Sequence, residues 1–139
     1  IDTPVDPERE VPYDDVVEDV IDELTERILL AEKAGLDRSQ IIVDPGLGFG
    51  KSAVENFELL GRLAEFSGLG CPTLVGHSHK SMFGALGRDD DERLEPTIAG
   101  TAVAVEHGAD IVRVHDVAEN VAAVDVVEAA GNPTRLADE

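Results

Sequence analysis

The chain has 139 residues, the size of one domain or of part of one. It is 42% hydrophobic but only 4% aromatic, so a core is available and must be built mainly from Val, Ile, Leu and Ala. Thirty acidic against eleven basic residues give a formal net charge of −19, which repels DNA, RNA and anionic membranes and sets nucleic-acid binding aside.

Only three of the bases are lysines, Lys33, Lys51 and Lys80, and the acids are spread over helix faces instead of forming a tail. That composition is typical of proteins from salt-loving organisms, where salt screens the self-repulsion. Cys71 is the sole cysteine, so no internal disulfide is possible and a reducing, cytoplasmic setting fits. No run approaches the ~20 apolar residues needed to span a membrane, and no signal peptide is recognisable. The first residue is not Met, which reads as a fragment or a processed chain, and residues 1–139 read as a single, partial domain.

In chain order, residues 1–12 carry three prolines and no periodicity, and read as a loop or arm. Across 14–34 the apolar positions Val16, Val17, Val20, Ile21, Leu24, Ile28 and Ala31 recur at helical spacing. Gly35 is a natural stop. Residues 40–43 form a short run of the kind buried on both faces of a parallel sheet. A second helix is expected over 53–66, opened by a capping box of Ser52 and Glu55 and closed by Gly68 and Gly70. A second strand covers 73–75, followed by a long polar loop over 77–95. Pro96 suits the first position of a third helix, 96–107, which Gly108 stops. The third strand is 111–114. Asp116 and Glu119 form a capping pattern for the last helix, 117–130, before Gly131 and Pro133. About three strands alternating with four helices predict parallel βα units. They form either a small open sheet or part of a (β/α)₈ barrel, whose full length is about 250 residues.

The stretch "DPGLGFGKS", residues 44–52, sits between a strand and a helix, as a nucleotide phosphate loop does. The spacing rejects that reading: a phosphate loop needs glycine five residues before Gly50, and Pro45 stands there. A plain glycine-rich connection remains, but a turn by itself requires neither Asp44 nor Lys51. The same polar pattern recurs at every strand end. Asp44 ends the first strand, Gly76-His77-Ser78-His79-Lys80-Ser81 follows the second, and Arg113 and His115 close the third. Ligands of alternating α/β proteins bind outside the carboxyl ends of the strands. Arg113 and His115, two residues apart, share one strand face and suit a phosphate or pyrophosphate. Lys80 can reach the same space. A carboxylate such as Asp44 suits a guanidine-like or aminopyrimidine edge. Taken singly, Asp44 is equally a helix cap and Arg113 equally a structural ion pair.

The motifs "IIVDPGLGFGKS", "LVGHSHKSMFG" and "IVRVHDV", with "NFELLGRLAEF" between the first two, resemble the C-terminal half of dihydropteroate synthase, over about residues 13–130. That resemblance implies a TIM-type (β/α)₈ barrel of roughly twice this length. It also implies a folate-pathway transferase that joins 6-hydroxymethyl-7,8-dihydropterin pyrophosphate to p-aminobenzoate and releases pyrophosphate. By position in the motifs, Asp44 would bind the aminopyrimidine edge of the pterin. Lys80 would contact the pterin ring, and Arg113 and His115 would hold the pyrophosphate. Gly76 would line the pocket, and Phe49 and Ser81 would lie near the p-aminobenzoate. Lys80, Arg113 and His115 are the expected catalytic residues. Two positions depart from the family: His79 stands where Ser-Arg-Lys-Ser is common, and His77 where Met is frequent. The resemblance implies Mg²⁺ for the complete enzyme, with its ligand in the half not represented here, and no metal site in this chain. It further implies an N-terminal half-barrel in cis or in trans, and a homodimer built on the late helices.

Three rivals remain at this stage. A pterin-dependent methyltransferase of the same superfamily has no use for the Arg113–His115 pair. A metal-dependent hydrolase would use His77 and His79 with Asp44 or His115. A non-catalytic half-barrel is the third: it would either bind pterin without turnover or serve only assembly, and Asp44, Lys80, Arg113 and His115 weigh against the assembly-only form.

Overall fold

A computed structural model describes residues 12–138. Nearly all of the expected arm at 1–12 therefore lies outside the described residues.

Helix α1, Val16–Lys33, begins at Asp15, whose carboxylate accepts from the backbone N–H groups of Val17 (3.0 Å) and Glu18 (3.1 Å). It buries Val16, Val17, Val20 and Ile28, and Gly35 follows its last turn at φ +109°. Helix α2, Ala53–Gly61, opens with the expected capping box. The Ser52 N–H donates to Glu55 Oε1 at 2.9 Å and the Glu55 N–H to Ser52 Oγ at 3.1 Å. It is shorter than the sequence pattern predicts. Beyond Arg62 the chain tightens into a 3₁₀ segment, Leu63–Leu69, which buries Leu63, Phe66 and Leu69 and ends at Gly70 with φ +71°. Helix α3, Leu94–Glu106, starts two residues before Pro96. Proline is still tolerated there, because the first four N–H groups of a helix have no partner within it. The Arg93 carbonyl instead accepts from the N–H (3.0 Å) and the hydroxyl (2.6 Å) of Thr97.

The strands are also shorter than expected. β1 is Leu74–Val75 and β2 is Ile111–Val112, paired in parallel with Leu74 opposite Ile111 and Val75 opposite Val112. The predicted strand at 40–43 reduces to one parallel bridge, Val43 with Thr73. Gln40 belongs to the 3₁₀ turn Arg38–Gln40, where its side chain accepts from the Asp37 N–H at 2.9 Å. The three segments nevertheless lie side by side in chain order, each followed by a helix, as in part of a (β/α)₈ barrel. Helix α4, Val117–Gly131, follows β2. The long loop after β1 carries two 3₁₀ segments, Ser81–Leu86 and Asp90–Glu92.

The core is aliphatic, as composition requires. Val17, Leu59, Phe66, Val75 and Ala104 are fully enclosed between the helices and the sheet, and Met82 and Phe83 of the loop join them. Each large side chain so buried contributes about 1.5–3 kcal/mol. Phe57 meets Phe83 edge to face, with centroids 6.1 Å apart.

A buried polar chain fixes α3 and α4 against the strand ends. His77 Nε2 lies 3.1 Å from the Thr97 carbonyl and 2.8 Å from Thr101 Oγ1. Thr101 donates its hydroxyl proton to Asn120 Oδ1 at 2.6 Å, and Asn120 Nδ2 donates to the Asp116 carbonyl at 2.8 Å. Two acceptors facing Nε2 assign the ring proton to that nitrogen. The other nitrogen, Nδ1, is buried without a hydrogen-bond partner. Burial therefore holds the His77 pKa below its usual value.

Two consequences are measurable. A Cβ on Gly100 would stand 2.9 Å from His77 Cδ2 and 3.4 Å from Phe83 Cζ. Gly100→Ala is expected to lower stability by about 1–3 kcal/mol through overpacking, read as a lower denaturant midpoint at unchanged slope. Burial holds the folded His77 pKa below the 6.5 of the unfolded chain, so its contribution is complete above that pH and lost as pH falls from there through the folded value. Thermal midpoints between pH 7.5 and 5.5 should fall more steeply for the natural chain than for His77→Gln.

Candidate functional site

The glycine-rich stretch after Val43 makes a compact turn in which Gly46, Gly48 and Gly50 all have positive φ (75°, 88° and 70°). L-residues with side chains avoid that region, so the alternate glycines are a backbone requirement. The loop is held from three sides. Asp44 Oδ1 accepts from the Gly46 N–H at 2.8 Å, and the buried Asn56 of α2 accepts from the Gly48 N–H at 2.9 Å. Lys51 turns back and donates to the carbonyls of Gly46 (3.0 Å) and Phe49 (2.9 Å). A phosphate-loop lysine points at its ligand; this one ties its own loop. Burial lowers the Lys51 pKa, while the carboxylates of Glu23, Asp44 and Glu55 pull it back up.

At the end of β1, Gly76 is buried beneath the Arg113 guanidinium. A Cβ on Gly76 would lie 2.5 Å from Arg113 Nη2 and 3.0 Å from Cζ, so only glycine allows the guanidinium to rest there. The Arg113 backbone N–H donates to the Val75 carbonyl at 2.9 Å, which continues the ladder and sets the side chain's height. Among the described residues no carboxylate pairs with Arg113.

His115 follows two residues later, in the bend beyond β2. Its backbone N–H donates to Ser78 Oγ at 3.0 Å, and its Nδ1 lies 2.7 Å from the same oxygen. Ser78 is buried and its own proton has one described acceptor, Nδ1, so the neutral imidazole carries its proton on Nε2. Gly76, Ser78, Lys80, Arg113 and His115, with Val114, line a cleft of about 360 Å³.

Asp44 is not in that cleft. It lines a neighbouring one of about 350 Å³ with Tyr13, Glu23, Phe49 and Lys51. Lys80 stands at the boundary: its Nζ lies over the Phe49 ring, 4.8 Å from the centroid, and its Cδ would be 3.1 Å from a Cβ on Gly48. Ser81 is exposed and opens the 3₁₀ segment Ser81–Leu86. Lys80, Arg113, His115 and Gly76 are thus gathered, Asp44 and Phe49 adjoin them, and Ser81 lies outside both linings.

The histidines of the second motif do not converge as metal ligands. His77 faces α3, whereas His79 Nε2 bonds Asp116 Oδ2 at 2.6 Å. The three-ligand group found among the described residues is Asp89, Asp91 and Glu92, exposed on the surface. Asp116 was expected to cap α4, yet its side chain makes no capping bond, and its Oδ2 meets His79 Nε2 instead. Sequence reasoning also missed Ser78, Asn56 and Asn120. Ser78 was within reach as a member of the second motif, and Asp116 and Asn120 stand one helical turn apart. Which loop each would touch was not visible.

Comparison with known proteins agrees with this geometry. The family model described as "Pterin binding enzyme" matches residues 2–115, a span that contains all three strand ends. The chain is 70% identical over 136 residues to a probable bifunctional folylpolyglutamate synthase/dihydropteroate synthase of Haloferax volcanii, covering 98% of this chain and 16% of that protein. It is 46% identical over 123 residues to dihydropteroate synthase of Escherichia coli, covering 87% and 44%. Among solved structures, Xanthomonas albilineans dihydropteroate synthase with 4-aminobenzoic acid superposes with a TM-score of 0.86 at 42% identity, covering 91% of this chain and 47% of that one. The same enzyme in complex with 7,8-dihydropteroate gives a TM-score of 0.85 at 40% identity, covering 93% and 49%. The chain therefore spans less than half the length of these relatives. No helix among the described residues is long and apolar enough to cross a membrane. Through the match that runs from its first residues to His115, the chain belongs to the pterin binding enzyme family.

Proposed function

We propose that this chain supplies the pyrophosphate-binding side, and part of the pterin pocket, of a dihydropteroate synthase. The observation that carries the reading is the Arg113 guanidinium, laid on Gly76 beside His115 and Lys80 in one cleft at the strand ends, with no carboxylate paired to it among the described residues. Three donors in a lining that holds no carboxylate suit a polyanion.

In this reading Arg113 and the Nε2–H of His115 hold the pyrophosphate of 6-hydroxymethyl-7,8-dihydropterin pyrophosphate. The C–O bond to the pterin methylene breaks, and the pyrophosphate leaves with the electron pair. The amine nitrogen of p-aminobenzoate forms the new C–N bond and loses one proton. Arg113 and His115 stabilise the charge that grows on the leaving group, where preorganised donors act most strongly. Asp44 accepts from the aminopyrimidine edge, with one oxygen already fixed by the Gly46 N–H. Lys80 covers the pterin ring and exchanges its contact with the Phe49 face for the ligand. Phe49 and Ser81 are assigned to the p-aminobenzoate end. Holding the pterin fixed while the amine approaches contributes through orientation.

The cleft lining contains no carboxylate, and its cations disfavour a bound Mg²⁺. We therefore assign the magnesium ligands of the complete enzyme to the N-terminal half-barrel, and no step here passes through the ion. The exposed Val117, Val121 and Val126 of α4 support burial in the complete protein, against that half-barrel or in a homodimer. The single, buried Cys71 fits a cytoplasmic setting.

The test is calorimetry on the complete protein with two ligands. Arg113→Ala should weaken pterin pyrophosphate binding by about ten- to a hundredfold, the value of a charge-assisted hydrogen bond, and leave the bare pterin nearly unchanged. Equal losses for both ligands would remove the pyrophosphate role. Asp44→Asn should weaken both ligands together, and an unchanged pterin affinity would take Asp44 out of the site.

A further inference from the structure

His79 is the one described non-glycine residue with positive φ, at 55°. A side chain held in that region persists where its surroundings over-determine it. Its N–H donates to Thr97 Oγ1 at 3.0 Å, and its carbonyl accepts from Arg93 Nη1 at 3.0 Å, so α3 and the residue before it grip both sides of the peptide. Its ring reaches the turn after β2, where Nε2 meets Asp116 Oδ2 at 2.6 Å. The same ring stands edge to face with His115, centroids 5.4 Å apart and planes at 82°. His115 is thus held on one side by Ser78 Oγ and on another by the His79 ring, while Asp116 fixes that ring in place.

We propose that His79 and Asp116 form a positioning pair for His115. The pair links the loop after β1 to the turn after β2 and sets the angle at which His115 Nε2 faces the cleft. Neither residue touches the ligand in this assignment. The diversion of the Asp116 carboxylate from its helix-capping role agrees with it, since α4 starts without that bond. The ligand readout below rests on the function proposed above; the spectroscopic readout does not.

The test uses His79→Gly in the complete protein, because glycine accepts the positive φ and removes only the ring. Asp116→Ala is the second variant; it deletes the carboxylate without removing a capping bond. Imidazole nitrogen resonances are recorded without ligand, with the His115 signal assigned from His115→Gln. Both variants should shift the His115 signal at an unreduced thermal midpoint for His79→Gly. Affinity for pterin pyrophosphate should fall about tenfold with the bare pterin changed less than about twofold. His79→Arg, which restores a donor to Asp116, should recover most of the loss. An unmoved His115 signal in folded His79→Gly and Asp116→Ala overturns the proposal. So does a parallel loss of both ligands together with thermal stability, which marks a merely structural role. If the natural protein binds no pterin pyrophosphate, the functional reading fails, and the His115 signal alone still decides for or against the pair.

Discussion

The parallel register that sets Val75 opposite Val112 is the constraint on which the site depends. It places Gly76 and Arg113 one step beyond the last paired residues, at the same height on the sheet. The guanidinium can then lie across the neighbouring strand, and the absence of a Cβ on Gly76 leaves room for it. A slip of one residue would turn Arg113 to the opposite face, because side chains alternate along a strand. The bond from the Arg113 N–H to the Val75 carbonyl, at 2.9 Å, therefore sets where the guanidinium lies.

Short strands leave the loops above them to be held by other means, and the helices supply these. Asn56 of α2 and Lys51 brace the glycine turn. Thr97 and Arg93 hold the loop after β1, and the chain from His77 through Thr101 and Asn120 fastens α3 to α4 beneath it. Most of these are side-chain-to-backbone bonds in buried or half-buried places, where an unmet partner is costly. Rigidity at the cleft thus comes from polar residues that do not themselves face it.

The acidic surface has a separate effect. A net charge of −19 over 139 residues repels itself at low ionic strength, and several ion pairs that do form, such as Arg62 with Asp15 and Glu65, lie on the surface. Salt at high concentration shortens the range of that repulsion to a few ångströms. Within the cleft the balance is reversed: Lys80 and Arg113 stand together without a carboxylate in the lining, which favours an anion there.

Local chemistry made much of this legible in the sequence. Helical periodicity placed α1, and the Ser52–Glu55 box and Gly35 marked helix ends, because caps and left-handed turns depend on residues next to one another. The alternation of elements gave parallel βα units, and three polar strand ends gave Asp44, Lys80, Arg113 and His115 as candidates. Strand lengths were overestimated, since a strand lasts only as far as its neighbour pairs with it, and Gln40 was claimed by a turn instead. The sequence also assigned Asp116 to a cap and gave His79 no partner. Their contact joins residues 37 apart in the chain, through a fold that brings two loops together. The sequence by itself determined the order of the βα units and which polar residues follow each strand segment, because alternation and turn chemistry are local. Only the tertiary structure decided which of those residues meet, because distance across a sheet is set by register and helix packing.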